Sequence, residues 1–326
     1  MKLKLEDIKR IAFGVVSVEE NLGAFTFHRF TKEQAESYSR CRHNIDFFNK
    51  TFATAGVRLS FYTNAEKMSF DYKFVPASSR MYGWFDVYED GVMTSHVGGE
   101  GKLFTSGHAD ICFSKGEKRV EIYFPWSKAT FISNAELEGD IISPCHRSRS
   151  MICFGDSITH GYDAVYPSLS YASILAKELD ADAVNKGIGG DIFFPELALL
   201  KDPIEPDIVT VAYGTNDWNN CTIKQFKENC FAFFNNLSST YKEANIFAIT
   251  PLWRADLDKE TKFGMPHCEM FELMRNILTD LKINVINGYD LTPHIKEFYS
   301  DEYLHPNDLG FSIYARELTK QIKKYL

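Results

Sequence analysis

The chain has 326 residues, 44% hydrophobic and 25% charged, with 36 Lys and Arg against 44 Asp and Glu and a net charge of −8. That length allows one large domain or two ordinary ones, with a core of normal size. The acidic balance argues against phosphate-backbone binding as the main task, because nucleic-acid binders carry a basic field.

No stretch approaches the roughly 18 apolar residues of a membrane span, and the start "MKLKLEDIKRIAFG" lacks the apolar run of a signal peptide. Seven cysteines (Cys41, Cys112, Cys145, Cys153, Cys221, Cys230, Cys268) are scattered, odd in number and without a C-x-x-C pair. That pattern points to free thiols in a reducing cytoplasm and away from structural zinc. No cofactor and no metal is expected, and neither nucleic acid nor membrane is expected as a partner.

In chain order, the first ~145 residues carry a period of two. "VRLSFYTNA" puts Val57, Leu59 and Phe61 on one face, "KMSFDYKFV" does so with Met68, Phe70, Tyr72 and Phe74, and "KRVEIYFPW" with Val120, Ile122 and Phe124. In "FDVYEDGVMT" the Asp90-Gly91 pair is a hairpin signal. Short strands and turns of this kind predict a β-sandwich. Only "TKEQAESYSR", 31 to 40, has helical potential there, with a loop as the alternative.

The second half alternates. "MICF" reads as a buried strand, "SYASILAKEL" as a helix, and "DAVN" and "DIVTVAYG" as further strands. A helix follows with Ile223, Phe226, Cys230, Phe233 and Leu237 on one face. "NIFAIT" is a strand, Met270, Met274, Ile277 and Leu281 mark a helix, and "NVIN" is the last strand. A final helix begins near Asn307, a plausible N-cap. Such alternation implies a parallel sheet covered on both faces. The boundary is placed in "GDIISPCHRSRS", giving residues 1–145 and 146–326.

In a parallel sheet, ligands sit at the carboxyl ends of the strands. Four polar segments reach that rim: "GDSITHG" after the first strand, "NKGIGGD" after the second, "GTND" after the third, and "DEYLHPND" before the last helix. A lone serine there would be an ordinary turn or cap residue. Ser157 becomes a candidate nucleophile because His305 is available as a base, with Glu302 three residues and Asp301 four residues before it to orient the imidazole. Oxyanion donors can come from the Ser157 N–H, a glycine N–H near Gly190, and the Asn216 side chain. The other histidines (His28, His43, His96, His108, His146, His160, His267, His294) show no metal-ligand spacing and read as surface or satisfied core residues. Trp218, Trp253 and Arg254 fall near the same rim, as substrate walls or as packed groups.

"FGDSIT", "NKGIGG", "GTND" and "HPN" resemble, in order and spacing, the four blocks of the SGNH, or GDSL-like, hydrolases over roughly residues 150 to 326. The resemblance implies a flavodoxin-like α/β/α fold and ester hydrolysis through an acyl-enzyme. It makes Ser157 the nucleophile, His305 the base, and Ser157, Gly190 and Asn216 the oxyanion hole. The family usually has Asp three residues before the histidine. Here Glu302 holds that place beside Asp301, so the acid is Glu302 or Asp301, with a backbone carbonyl as a third orienter. An α/β-hydrolase elbow, G-x-S-x-G, is excluded by Thr159.

The first half resembles the sandwich of two-domain members such as carbohydrate esterase family 2. That domain order implies O-deacetylation of a carbohydrate or other small acetyl ester. A short-chain lipase, lysophospholipase or thioesterase shares the same blocks. A metallophosphoesterase would need clustered histidines that the sequence lacks. A glycan-binding protein with a degenerate catalytic half is the rival reading from another class.

Overall fold

The computed structural model describes residues 1–40 and 45–326; Cys41 and His43 lie outside the described residues. The first 144 residues hold β1 (Ala12–Phe13), β2 (Ser17–Asn21), β3 (Ala24–His28), β4 (Arg58–Thr63), β5 (Lys67–Pro76), β6 (Tyr82–Glu89), β7 (Val92–Glu100), β8 (Ser106–Cys112), β9 (Lys118–Tyr123), β10 (Lys128–Leu137) and β11 (Ile141–Pro144). They form two antiparallel sheets. One runs β1-β4-β9-β6-β7 with β11 beside β4, and the other runs β2-β3-β10-β5-β8. The period-two faces meet between them: Leu59, Phe61, Phe70, Phe85, Val120 and Ile122 share one core. Asp90 and Gly91 turn the β6–β7 hairpin, both with positive φ, 47° and 88°. A two-residue turn of that hand matches the twist of the strands it joins.

Among the described residues three helices interrupt this half: α1 (Leu5–Ile11), α2 (Lys32–Arg40) and α3 (Ile45–Lys50). The 31–40 stretch is helical because Thr31 and Gln34 cap it reciprocally: the Gln34 N–H donates to Thr31 Oγ1 at 3.1 Å, and the Thr31 N–H to Gln34 Oε1 at 3.0 Å. Phe30, Ala35 and Tyr38 join Phe193 and Phe194 in a core of the second half.

That half is built on five parallel strands, β12 (Arg149–Gly155), β13 (Ala181–Gly187), β14 (Ile208–Ala212), β15 (Asn245–Ile249) and β16 (Asn284–Ile286), in the order β13-β12-β14-β15-β16. This is the flavodoxin-like order, with the switch point at β12. A short α4 (Ser157–His160) follows β12. On one face α5 (Tyr171–Glu178) and α9 (Asp308–Ile322) pack Leu175, Phe311 and Leu318 against Met151 and Cys153. On the other, α7 (Ile223–Thr240) and α8 (Met270–Ile277) pack Phe226, Phe233 and Met274 against Ile152, Phe154 and Val211. Between β14 and α7 lies α6 (Thr215–Asn220). Asn307 caps α9, its side chain accepting from the Gly310 N–H at 3.0 Å. The helix begun at Met270 ends at Ile277, short of Leu281.

The two halves are tied by buried cations. Arg29, fully buried, donates to the carbonyls of Ala53, Lys50 and Gly187 at 2.5, 3.1 and 3.3 Å, and to that of Asn185. Among the described residues no helix is long and apolar enough to cross a membrane. Cys112, Cys145, Cys153, Cys230 and Cys268 are free thiols.

Candidate active site

The site assembles at the C-terminal rim of the parallel sheet. β12 ends at Gly155, Asp156 caps the next turn by accepting the Ile158 N–H at 3.0 Å, and Ser157 opens α4. His305 comes from the loop before α9. Ser157 Oγ lies 2.8 Å from His305 Nε2, 148 residues away in the chain, and both side chains are largely buried.

Asp301, not Glu302, orients the imidazole. The His305 Nδ1–H donates to Asp301 Oδ2 at 2.6 Å, while Asp301 Oδ1 accepts the N–H groups of Tyr303, Leu304 and His305 at 3.2, 2.8 and 3.0 Å. The expected three-residue spacing fails for a local reason. The loop turns at Glu302, whose φ is 63°, leaving that side chain exposed while the residue before it faces inward. Burial works against the Asp301 charge, but the His305 side chain and the backbone donors outweigh it and hold the carboxyl well below its usual range. An ionised Asp301 selects the Nδ1–H tautomer, so the Nε2 lone pair faces the serine hydroxyl.

Gly190 and Asn216 line the same pocket as Ser157 and His305. Asn216 Nδ2 donates to the Asp191 carbonyl at 3.0 Å, which orients its amide at the rim. Gly190 has φ 89°, a conformation side chains resist. Gly189 is gripped on both sides: His160 Nδ1 accepts its N–H at 3.3 Å, and Lys50 Nζ donates to its carbonyl at 2.9 Å. A Cβ at Gly189 would stand 2.3 Å from the Tyr162 hydroxyl. His160 is buried and, by desolvation first, held well below its ordinary value; its Nε2–H donates to the Trp126 carbonyl at 3.0 Å. It is a satisfied core residue that sets the glycine loop.

Beneath the site sit two buried carboxyls. Desolvation pushes Asp156 up to about 7 and Asp217 up to about 8. Asp163, Asp301 and His305 lie close enough together to resemble a metal-ligand set. Here Asp301 accepts from His305, and Asp163 receives the Arg80 guanidinium at 2.5 and 3.0 Å.

The cleft over Ser157 has a volume near 440 Å³ and is lined mainly by polar groups. Lys50, Ser79 and Arg80 reach it from the first half, and Asn219, Arg254 and Asp256 from the second. Motif reading missed the first three, which lie in stretches that look like ordinary surface. Arg254 is held by Asp256 and Thr215 Oγ1 and lies over the Trp218 ring. Neither Trp218 nor Trp253 lines the cleft; Trp218 is buried against His267, and Trp253 stacks on His294. A larger cavity, near 740 Å³, lies against the outer face of the β2-β3-β10-β5-β8 sheet and contains none of these groups.

A flavodoxin-like sheet with serine, histidine and aspartate in hydrogen-bonded series at its rim, beside a glycine and an asparagine that line the same cleft, is the arrangement of the SGNH class of serine hydrolases. Residues 153–313 match the GDSL-like Lipase/Acylhydrolase family, and the parallel-sheet half belongs to that family: it is a serine ester hydrolase. Solved structures share this fold at low identity. A salicylyl-acyltransferase, SsfX3, from a tetracycline biosynthetic pathway is 20% identical with TM-score 0.80, covering 100% of this chain and 97% of that one. A family two carbohydrate esterase from Cellvibrio japonicus is 18% identical with TM-score 0.70, covering 99% and 97%. An acetyl xylan esterase from the rumen bacterium Butyrivibrio proteoclasticus is 16% identical with TM-score 0.58, covering 83% and 89%. At such identities the likeness is one of fold. No curated protein sequence matches the chain.

Proposed function

We propose that the protein removes an acetyl or similarly short acyl group from a carbohydrate or other small polar alcohol. The observation that carries this reading is the cleft lining: among the described residues it is mainly polar around Ser157, with Lys50, Ser79, Asn216, Asn219 and Asp256, which suits a small polar ester better than a long acyl chain. The sandwich-plus-parallel-sheet layout shared with the carbohydrate esterases supports it as analogy.

In this reading His305 Nε2 takes the Ser157 proton as Oγ attacks the acyl carbonyl. The tetrahedral oxyanion is met by the N–H groups of Ser157 and Gly190 and by the Asn216 amide, each donor worth about 3 kcal/mol to the transition state. The C–O bond to the alcohol breaks as the imidazolium returns its proton to the leaving oxygen. Water, deprotonated by the same imidazole, then releases the carboxylic acid and frees Ser157.

A chain-length series of p-nitrophenyl esters from C2 to C12, followed by acetylated sugars, tests the reading. The expected result is a kcat/KM maximum at C2 and release of acetate from sugar esters. An optimum near C8 would overturn the short-acyl assignment in favour of a lipid or thioester substrate.

A further inference from the structure

His305 faces two carboxylates, not one. Its Nδ1 is 2.6 Å from Asp301 Oδ2 and 3.8 Å from Asp163 Oδ2. Asp163 sits on the turn after α4, with φ 70° and a buried side chain. Left unpaired, it would be a buried charge with a nearby N–H to compete for. A small rotation of the ring toward it would carry Nε2 away from Ser157.

Arg80, on the loop between β5 and β6, prevents this from the other half of the molecule. Its Nε donates to Asp163 Oδ1 at 2.5 Å and its Nη2 to Oδ2 at 3.0 Å, the bidentate geometry that matches guanidinium to carboxylate. The same guanidinium lies 5.3 Å above the Tyr162 ring, and that ring stacks on the His305 imidazole at 5.6 Å and 29°. The neighbouring Ser79 N–H donates to the Tyr162 hydroxyl at 3.3 Å. Arg80 therefore reaches the histidine by two routes, one through charge and one through a stacked ring. The groups facing His305 are Asp301 on its own loop, Ser157, Tyr162 and Asp163 on the α4 segment, buried Asp156 behind, and Arg80 across the cleft.

We propose that Arg80 is a positioning residue of the active site: by neutralising Asp163 it leaves Asp301 as the single carboxylate that holds His305, and so keeps the imidazole facing Ser157. The proposal rests on Ser157 and His305 being nucleophile and base. It also gives the first half a part in catalysis, since that half supplies the cation without which the second carboxylate would compete.

The test follows p-nitrophenyl acetate turnover and fluorophosphonate labelling of Ser157 from about pH 5 to 9. In Arg80→Ala, unpaired Asp163 favours the imidazolium. The acid limb of both profiles should move up by about one pH unit, so that turnover on that limb falls about tenfold with KM little changed. In Asp163→Asn, with Arg80 retained as a cation, the limb should move the other way. The double variant should return it close to the wild-type position, and Arg80→Lys should recover most of the shift. Opposite shifts that cancel are the signature of charge, which a merely structural role would not produce. If Arg80→Ala fails to fold, Asp163→Asn and the double variant still carry the test. Limbs that stay put, or move in the same direction in both single variants, would overturn the proposal while a dead Ser157→Ala leaves the esterase reading standing. A Ser157→Ala protein that still turns over would overturn both.

Discussion

The two halves contribute to one cleft in different ways. In the proposed mechanism the parallel half places the reacting groups at the carboxyl rim of its sheet: Ser157 opens α4, Asn216 lies in α6, and Gly190 and His305 stand on loops. The antiparallel half places groups that grip those loops: Lys50 holds the Gly189 carbonyl, Arg80 holds Asp163, and the Trp126 carbonyl holds His160. The difference teaches that a catalytic rim made of loops needs bracing from outside the sheet. Loops carry function because they are free to vary, and that freedom must be removed at the reacting atoms.

The comparison breaks outright if the reacting groups of the parallel half are dispensable. The largest effect is expected from Ser157→Ala, a loss of about 10⁴-fold or more in kcat for p-nitrophenyl acetate with an unchanged thermal melt. Next is the acid. Asp301→Asn should lose about 10² to 10⁴-fold in kcat, while Glu302→Gln stays within about twofold, a contrast steady-state kinetics would read directly. Equal losses in the two would return Glu302 to the site.

Asn216→Ala should cost about 10² to 10³-fold in kcat with KM little changed, as for any donor aimed at a developing oxyanion. The bracing half should give smaller numbers. Lys50→Ala removes the grip on the Gly189 carbonyl and should lower kcat about tenfold without unfolding the chain; a loss as large as that of Ser157→Ala would blur the division of labour.

The smallest expected effect concerns stability. Asp156 and Asp217 titrate near about 7 and about 8 in the folded state, above the ordinary carboxyl value of 3.8. Between those values the unfolded chain releases the protons and the folded one keeps them. Both groups therefore subtract stability progressively as pH rises from about 4 to about 8, and neither does so below about 4. Urea melts of Asp217→Asn against wild type should show a difference in unfolding free energy that shifts toward the variant as pH rises over that window. A pH-independent difference would contradict the burial argument.

Much of this was legible in the residues. The period-two faces of β4, β5 and β9, the Asp90-Gly91 hairpin and the strand–helix alternation from Met151 onward all correspond to elements in place. Short-range patterns record local geometry, and these elements need nothing more. The acid was legible only as a pair, because spacing counts residues while the loop turns on a φ of 63° at Glu302. The destination of α2 was not legible at all: a capping box announces a helix, not which core receives Tyr38.

The sequence by itself determined the architecture and the order of the parallel strands' loops and marked Ser157 and His305 as candidates, because each is written in contiguous residues with a fixed period or block. Only the tertiary structure decided which carboxylate meets the imidazole, which glycine carbonyl Lys50 holds, and that Arg80 comes to rest on Asp163, 83 positions away. Those pairings join residues with no local relation. They exist because two separately patterned halves bury their polar ends against one another, and a buried charge must find its partner wherever packing brings one.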